Sequence, residues 1–162
     1  MSKLTILATA AMLTAGAATF GTMGVSRADD GSAAAYKDIE TTIGQVPSMF
    51  KAFPEIGIAG AWAEFKSVQL NPATALDGKT KELIGLAVSA QIPCQYCIYF
   101  HTKAAKLNGA TDQEIGEAVA MASISRHWST VLNGMQVDPA TFARETDEIL
   151  ARAAEMAKAK SQ

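Results

Sequence analysis

Apolar residues along this 162-residue chain recur with helical spacing. No stretch shows the sustained alternation of β-branched and aromatic residues that is typical of strands. The segment KTKELIGLAVSAQI carries a wide apolar face, which predicts a mostly buried helix over residues 79–92. This face consists of Leu83, Ile84, Leu86, Ala87 and Ala90. The sequence therefore predicts an all-α fold, a helical bundle.

Helix-capping signals divide the rest of the chain. Pro93 suits the first positions of a helix, which we expect to run over residues 94–107. Thr111 and Glu114 have the spacing of a capping box, in which each side chain bonds the backbone N–H of the other residue. A last helix is predicted over residues 139–159. No internal repeat is visible between these helices.

The amino terminus predicts export. Lys3 is followed by an uncharged, largely apolar stretch over residues 4–25, and small residues then precede a cleavage point after Ala28. We interpret residues 1–28 as a secretory signal peptide, which predicts a location in the bacterial periplasm. An uncleaved membrane anchor is the alternative, but the many Thr and Gly residues make a poor transmembrane span.

After the signal peptide, residues 29–45 are polar and small and are expected to form a loose arm. Residues 46–162 are predicted to form a single helical domain. The chain has 16 acidic and 14 basic residues, a net charge of −2, and no basic patch. This charge pattern argues against a nucleic-acid partner.

Both cysteines of the chain, Cys94 and Cys97, lie within the segment IPCQYCIYFH. A disulfide between them closes a very small loop, so its contribution to stability is small. Together with His101 they stand at positions i, i+3 and i+7 and share one face of the predicted helix. At a helix start the backbone N–H groups and the helix dipole favour thiolates, which are the reactive form.

Three interpretations of this cluster compete. A redox-active dithiol fits the helix start and the histidine partner best. Two buried cysteines beside a core histidine are the second interpretation, since free cysteine is a common core residue. A zinc site is the third, with His127 or Glu82 as a fourth ligand, but zinc sites usually present a second ligand pair of comparable regularity.

The wider pattern resembles a known family. Residues 61–121 combine a KTKELI helix, a Cys-x-x-Cys-x-x-x-His helix, and a GAT segment before an acidic helix start. This combination is similar to the core of the alkylhydroperoxidase D-like and carboxymuconolactone decarboxylase superfamily. Redox-active members carry a Glu twelve residues before the first cysteine, and Glu82 stands at that position before Cys94.

The resemblance implies a thiol-dependent peroxidase that reduces small hydroperoxides and needs no metal, haem or flavin. It implies that Cys97 attacks the peroxide and that Cys94 resolves the resulting sulfenic acid as a disulfide. Glu82 and His101 would then form a proton relay. It further implies a thiol reductant, which the sequence does not identify, and a homo-oligomer, a trimer or a hexamer.

The chain departs from the family archetype at Tyr96, where the archetype has a second histidine between its cysteines. Tyrosine is a poor base near neutral pH, so we expect a proton relay with one base fewer and a lower peroxidase turnover. In the SRHW segment, His127 is a weaker candidate for the mouth of the site or a subunit contact. The alternative there is an amphipathic helix end with Trp128 in the core and Arg126 in water.

The sequence is also consistent with two other functions. One is a thiol–disulfide oxidoreductase without peroxidase turnover. The other is a non-enzymatic member of the fold that binds zinc or serves a structural purpose.

Overall fold

A computed structural model describes the backbone of residues 28–161 and the side chains of residues 31–161. All regular secondary structure in this part of the chain is helical, which confirms the all-α prediction. The α-helices are α1 (Ala28–Ile43), α2 (Ser48–Lys51), α3 (Ile58–Glu64), α4 (Gly78–Gln91), α5 (Gln95–Leu107), α6 (Asp112–Gly134) and α7 (Pro139–Lys160). A 3₁₀ turn at Glu55–Gly57 precedes α3, and a π-helix at Phe65–Gln69 follows it.

The described chain packs as two units, of which the first ends at Trp62. Its centre is the indole of Trp62, which donates a hydrogen bond from Nε1 to Oδ2 of Asp38 at 2.6 Å. The ring of Phe50 meets this indole edge-on, with centroids 5.4 Å apart. Ile39 and Ile58 are fully buried. Helix α1 is therefore anchored by an apolar stripe, by this part-buried hydrogen bond and by a second one from the Ser32 hydroxyl to Glu55 at 3.0 Å.

Helix α1 corrects the expectation of a loose arm over residues 29–45, because Ala28–Ile43 is helical. Ser32, Ala35 and Ile39 are buried and stand at i, i+3 and i+7, so they form one face of this helix. The predicted signal peptide lies outside the described residues except for Ala28, and it stays a prediction.

The second unit begins at Ala63, and α4 is its central helix, packed against both α5 and α6. Leu86 of α4, Ala105 of α5 and Ala122 of α6 are buried. The prediction that α4 is mostly buried is wrong in part, because Ile84 and Val88 are about half exposed, at 48% and 55%. Only one face of α4 is covered within the chain.

Most of the predicted helix starts are confirmed. The capping box at the start of α6 is complete, with Thr111 and Glu114 bonding each other's backbone N–H groups. The carboxylate of Asp138 caps α7 by accepting from the N–H of Thr141 at 2.8 Å. Helix α6 runs without interruption from Asp112 to Gly134. Within the described residues, no helix is both long enough and apolar enough to span a bilayer.

Glu114 links the capping box to α4 and supplies a pH-dependent part of the stability. Its carboxylate accepts from Nζ of Lys79 at 2.7 Å and from the N–H of Thr111 at 2.7 Å. The hydrogen bond from Lys79 comes first among the causes that lower the pKa of Glu114 from 4.5 to about 2. Because the folded-state pKa is lowered, this stabilisation is present above about pH 4.5 and is lost as the pH falls towards 2.

We therefore expect Glu114→Gln to destabilise the protein at neutral pH, and the difference from wild type to shrink as the pH falls from 4.5 to 2. Glutamine keeps the capping hydrogen bond but removes the charge opposite Lys79. Urea unfolding across this pH range measures the effect, with Glu117→Gln on the same helix as the control. A difference that stays constant with pH would show that the charge of Glu114 is unimportant.

Candidate functional site

Helices α4 and α5 form an antiparallel pair. At one end a Cβ on Gly78 of α4 would collide with the side chain of Asn108, just after α5. At the other end the N–H of Cys94 donates to the carbonyl of Ser89 at 3.1 Å. The backbone N–H of the residue that caps α5 thus bonds to the last turn of α4, and this bond fixes where α5 begins.

The two helices turn matching rows of residues towards each other. Cys94, Cys97 and His101 stand at i, i+3 and i+7 along α5, with Cys94 as its N-cap residue. Glu82, Gly85 and Ser89 have the same spacing along α4. The structure brings Glu82 to His101 and Cys94 to Cys97, so the four predicted site residues all lie on this helix pair.

Glu82 and His101 form a close pair. Oε2 of the carboxylate lies 2.7 Å from Nδ1 of the imidazole, and the two side chains are 6% and 19% exposed. The other carboxylate oxygen accepts from Nε2 of Gln69, in the π-helix, at 3.2 Å. A buried carboxylate needs such partners, because an unpaired one would be strongly disfavoured. The pair is closed to water at the glutamate and partly open at the histidine.

Gly85 allows this pair to form. A Cβ added at Gly85 would lie 2.8 Å from Nε2 of His101 and still closer to Nδ1 and Cε1. No side chain other than hydrogen fits there unless the imidazole moves. Gly85 therefore permits the close approach of the imidazole to α4, one turn beyond Glu82.

The two thiols are not equivalent. Sγ of Cys94 accepts from the backbone N–H of Cys97 at 3.3 Å, so this sulfur is itself the helix cap. The Cys97 thiol also hydrogen bonds to Cys94, and this bond, followed by the N–H groups of Cys97 and Tyr96, lowers the pKa of Cys94. The same bond, together with burial and the nearby Cys94 charge, raises the pKa of Cys97. The expected preference for thiolate at the helix start thus applies to Cys94, and it is wrong for Cys97.

The side chains of the two weaker candidates, Tyr96 and His127, are exposed. Tyr96 is 90% exposed, and His127 is exposed with its ring edge-on to Trp128, at a centroid distance of 5.4 Å. No hydrogen bond among the described residues links His127 to Glu82 or to the dithiol. Trp128 is 55% exposed, so the expectation that it lies in the core is wrong within the single chain.

Arg126 has a role that the sequence did not indicate. Its guanidinium donates to the side chain and to the carbonyl of Gln91, at 2.8 and 3.1 Å. This side chain is exposed, as the alternative placed it, and it also bonds the end of α4 just before the cysteine segment.

The zinc interpretation finds no support in the part of the chain that the structure describes. No group of three or more His, Cys, Asp or Glu side chains there is arranged to hold a metal ion. The cysteines pair with each other, and His101 pairs with a carboxylate, so the donors are not directed at a common point.

Sequence reasoning missed Gln69, Gly85 and Ser89. Ser89 is buried, and its hydroxyl donates to the carbonyl of Gly85 at 2.6 Å. The spacing of Gly85 and Ser89 from Glu82 matches that of the α5 residues, and this match was the available signal. Gln69 had none, because its position depends on the wide turn of the π-helix.

The unequal thiols predict unequal reactivity. At neutral pH we expect iodoacetamide to alkylate Cys94 faster than Cys97, by about an order of magnitude, because thiolate is the reactive form. Cys97→Ala should slow the alkylation of Cys94, since it removes the thiol that stabilises this thiolate. Mass spectrometry of timed samples measures both rates, and urea-unfolded protein is the control. Faster labelling of Cys97 would contradict the pKa order.

Gly85→Ala should separate the Glu82–His101 pair, because the added methyl group occupies the space of the imidazole. We expect a loss of stability of roughly 1–3 kcal/mol, typical of overpacking, and a changed chemical shift at Nδ1 of His101. Gly116→Ala on α6 is the matched control, since nothing lies within 4 Å of its added Cβ. An unchanged His101 signal in Gly85→Ala would refute the steric role of Gly85.

Comparisons with known proteins agree with this geometry. A model of the carboxymuconolactone decarboxylase family matches residues 57–138, which include α4, α5 and α6. A protein of Paracoccus denitrificans, described as uncharacterized protein 4 in the cox locus, is 35% identical over 85 residues. That match covers 50% of this chain and 77% of the relative.

The fold is also similar to a solved structure, the alkylhydroperoxidase AhpD core from Rhodospirillum rubrum, with a TM-score of 0.59 and 29% identity. This likeness covers 78% of the present chain and 98% of the other. Fold, family model and relative agree with the resemblance seen in the sequence. The chain belongs to the carboxymuconolactone decarboxylase family and has the alkylhydroperoxidase D-like fold.

Proposed function

We propose that this protein is a thiol-dependent peroxidase that reduces hydroperoxides through a cycle between the Cys94–Cys97 dithiol and its disulfide. The observation that carries the proposal is the Glu82–His101 pair, joined at 2.7 Å, on the helices that hold the dithiol. His101 follows Cys97 by one helical turn on the same face of α5. The similarity to an alkylhydroperoxidase core supports the same reaction class.

In the proposed first step, Cys97 attacks the terminal oxygen of the peroxide. The pKa of Cys97 is raised, first by its hydrogen bond with the Cys94 side chain, so its thiol holds the proton in the resting state. The His101–Glu82 pair takes this proton, and the Cys97 thiolate then forms the S–O bond as the O–O bond breaks. The alkoxide leaves with the proton from the pair, so an alcohol and a sulfenic acid on Cys97 are the products.

In the second step, Cys94 attacks the sulfenic sulfur. The S–S bond forms, the S–O bond breaks, and hydroxide leaves and is protonated to water. The lowered pKa of Cys94, caused first by the hydrogen bond from Cys97, suits this role, because it eases formation of the attacking thiolate, and the proton that Cys94 gives up balances the one that the hydroxide takes up. Two electrons from an external thiol reductant then restore the dithiol.

Thiol–disulfide exchange without peroxidase turnover is the second candidate function. The lowered pKa of Cys94 favours it, because a thiolate at the first cysteine can attack a disulfide directly. The exposed Tyr96 favours it as well, since this residue adds no base to the Glu82–His101 pair. This candidate uses the same dithiol but no peroxide.

We also propose that the protein is exported to the periplasm and forms a homo-oligomer. The amino-terminal sequence supports export. Apolar side chains that are about half exposed within one chain support self-association, because soluble monomers rarely present many of them together. They are Ile84 and Val88 of α4, and Met121, Ile124 and Trp128 of α6.

Single-turnover kinetics test the peroxidase proposal. We expect pre-reduced protein to consume one equivalent of an alkyl hydroperoxide and to lose two free thiols. Cys97→Ser should not react, whereas Cys94→Ser should stop at a sulfenic acid that dimedone traps on Cys97. Glu82→Gln should slow the reaction by about a hundredfold or more, the usual effect of losing a general acid–base group.

Glu64→Gln is the matched control, because it removes an exposed carboxylate from α3. If Cys97→Ser reacts as fast as wild type, Cys94 is the attacking thiol and the assigned roles are wrong. If wild type loses no thiols to peroxide but reduces a small disulfide, thiol–disulfide exchange replaces the peroxidase proposal.

A further inference from the structure

Ser89 lies on the face of α4 that is turned towards the dithiol, in one row with Glu82 and Gly85. Its carbonyl accepts from the N–H of Cys94 at 3.1 Å, and its side chain is one of the groups that lower the pKa of Cys97, which faces α4 as His101 does. The residue is only 3% exposed, so its hydroxyl is sheltered from water beside the dithiol. The mechanism proposed above does not use it.

The hydroxyl has one proton to donate, and it already has an acceptor. In the resting structure it donates to the carbonyl of Gly85 at 2.6 Å. That carbonyl is the ordinary helical partner of the backbone N–H four residues later, which is the N–H of Ser89 itself. The carbonyl of Gly85 therefore keeps a hydrogen bond when the hydroxyl turns away, and rotation about one side-chain bond leaves no buried group unpaired.

We propose that the Ser89 hydroxyl is a catalytic hydrogen-bond donor that moves from the Gly85 carbonyl to the Cys97 sulfur when that sulfur becomes negatively charged. The inference rests on the proposed role of Cys97 as a thiolate, but not on peroxide as its substrate. Ser89 keeps its proton throughout, so only its hydrogen bond changes and none of its covalent bonds forms or breaks. It supplies a donor to a sulfur whose charge is costly where it is buried between two helices.

The electrostatics agree with this assignment. The pKa of Cys97 is raised, first by its hydrogen bond to Cys94 and next by burial, and the Ser89 hydroxyl opposes these effects. A charge buried between two helices is costly without a donor, and hydrogen bonds to charged groups are stronger than those between neutral groups. Ser89 thus reduces the cost of forming the less favoured of the two thiolates.

The test uses Cys94→Ser as the background, because Cys97 is then the only thiol and serine still caps α5. In this background we compare Ser89 with Ser89→Ala and Ser89→Thr by the pH dependence of alkylation with iodoacetamide. Ser89→Ala should move the profile to higher pH and slow alkylation at neutral pH by roughly tenfold, since it removes a donor to the thiolate. Ser89→Thr keeps a hydroxyl and should restore most of the rate.

Ser125→Ala is the matched control, because Ser125 makes the same bond to a carbonyl one turn earlier, on the exposed face of α6. It should leave the profile unchanged. An unshifted profile in Ser89→Ala, with or without a change in thermal stability, would overturn the inference and leave Ser89 a packing residue. The assay contains no peroxide, so this result is independent of whether the protein proves to be a peroxidase.

Discussion

The buried carboxylate of Glu82 needs polar partners, and the imidazole of His101 reaches it because Gly85 leaves the surface of α4 open at that point. This contact also fixes the rotation of α5 about its own axis. Since residues one turn apart share a helix face, Cys97 faces α4 as His101 does. The hydrogen bond from the N–H of Cys94 to Ser89 then fixes the position of α5 along α4. Two contacts thus determine where both sulfurs lie.

Part of this arrangement was predictable because it consists of chemically reactive residue types. Two cysteines and a histidine at helical spacings are uncommon, so their pattern indicated Cys94, Cys97 and His101, and the resemblance to the family added Glu82. Gly85 and Ser89 stand at equally regular positions, but small residues occur on helix faces for ordinary packing reasons. Their roles depend on how closely α5 approaches α4, and the periodicity of a single helix does not predict this distance.

Helix α1 and the apolar surfaces show the same limit at the level of the fold. The buried face of α1 contains one large apolar residue, Ile39, beside small ones, so its apolar periodicity is weak. Its burial depends on the distant indole of Trp62, through the hydrogen bond to Asp38. Conversely, Ile84 and Trp128 were expected on buried helix faces and yet are about half exposed in the single chain. An apolar pattern predicts that a helix face is buried, but it does not identify the surface that packs against this face.

The unequal thiols follow from the geometry of a helix start. The orphan N–H groups of the first turn point at the capping position, so they reach Cys94 rather than Cys97, which lies inside the helix. A sulfur with a lower pKa is the better leaving group but the weaker nucleophile once both are ionised. In the proposed cycle, Cys97 is therefore the stronger attacking group after losing its proton, and Cys94 leaves more readily when the disulfide is reduced. Because Cys94 is the better leaving group, we expect an incoming thiol to attack Cys97. This is also the sulfur that faces Ser89 and lies on the same helix face as His101.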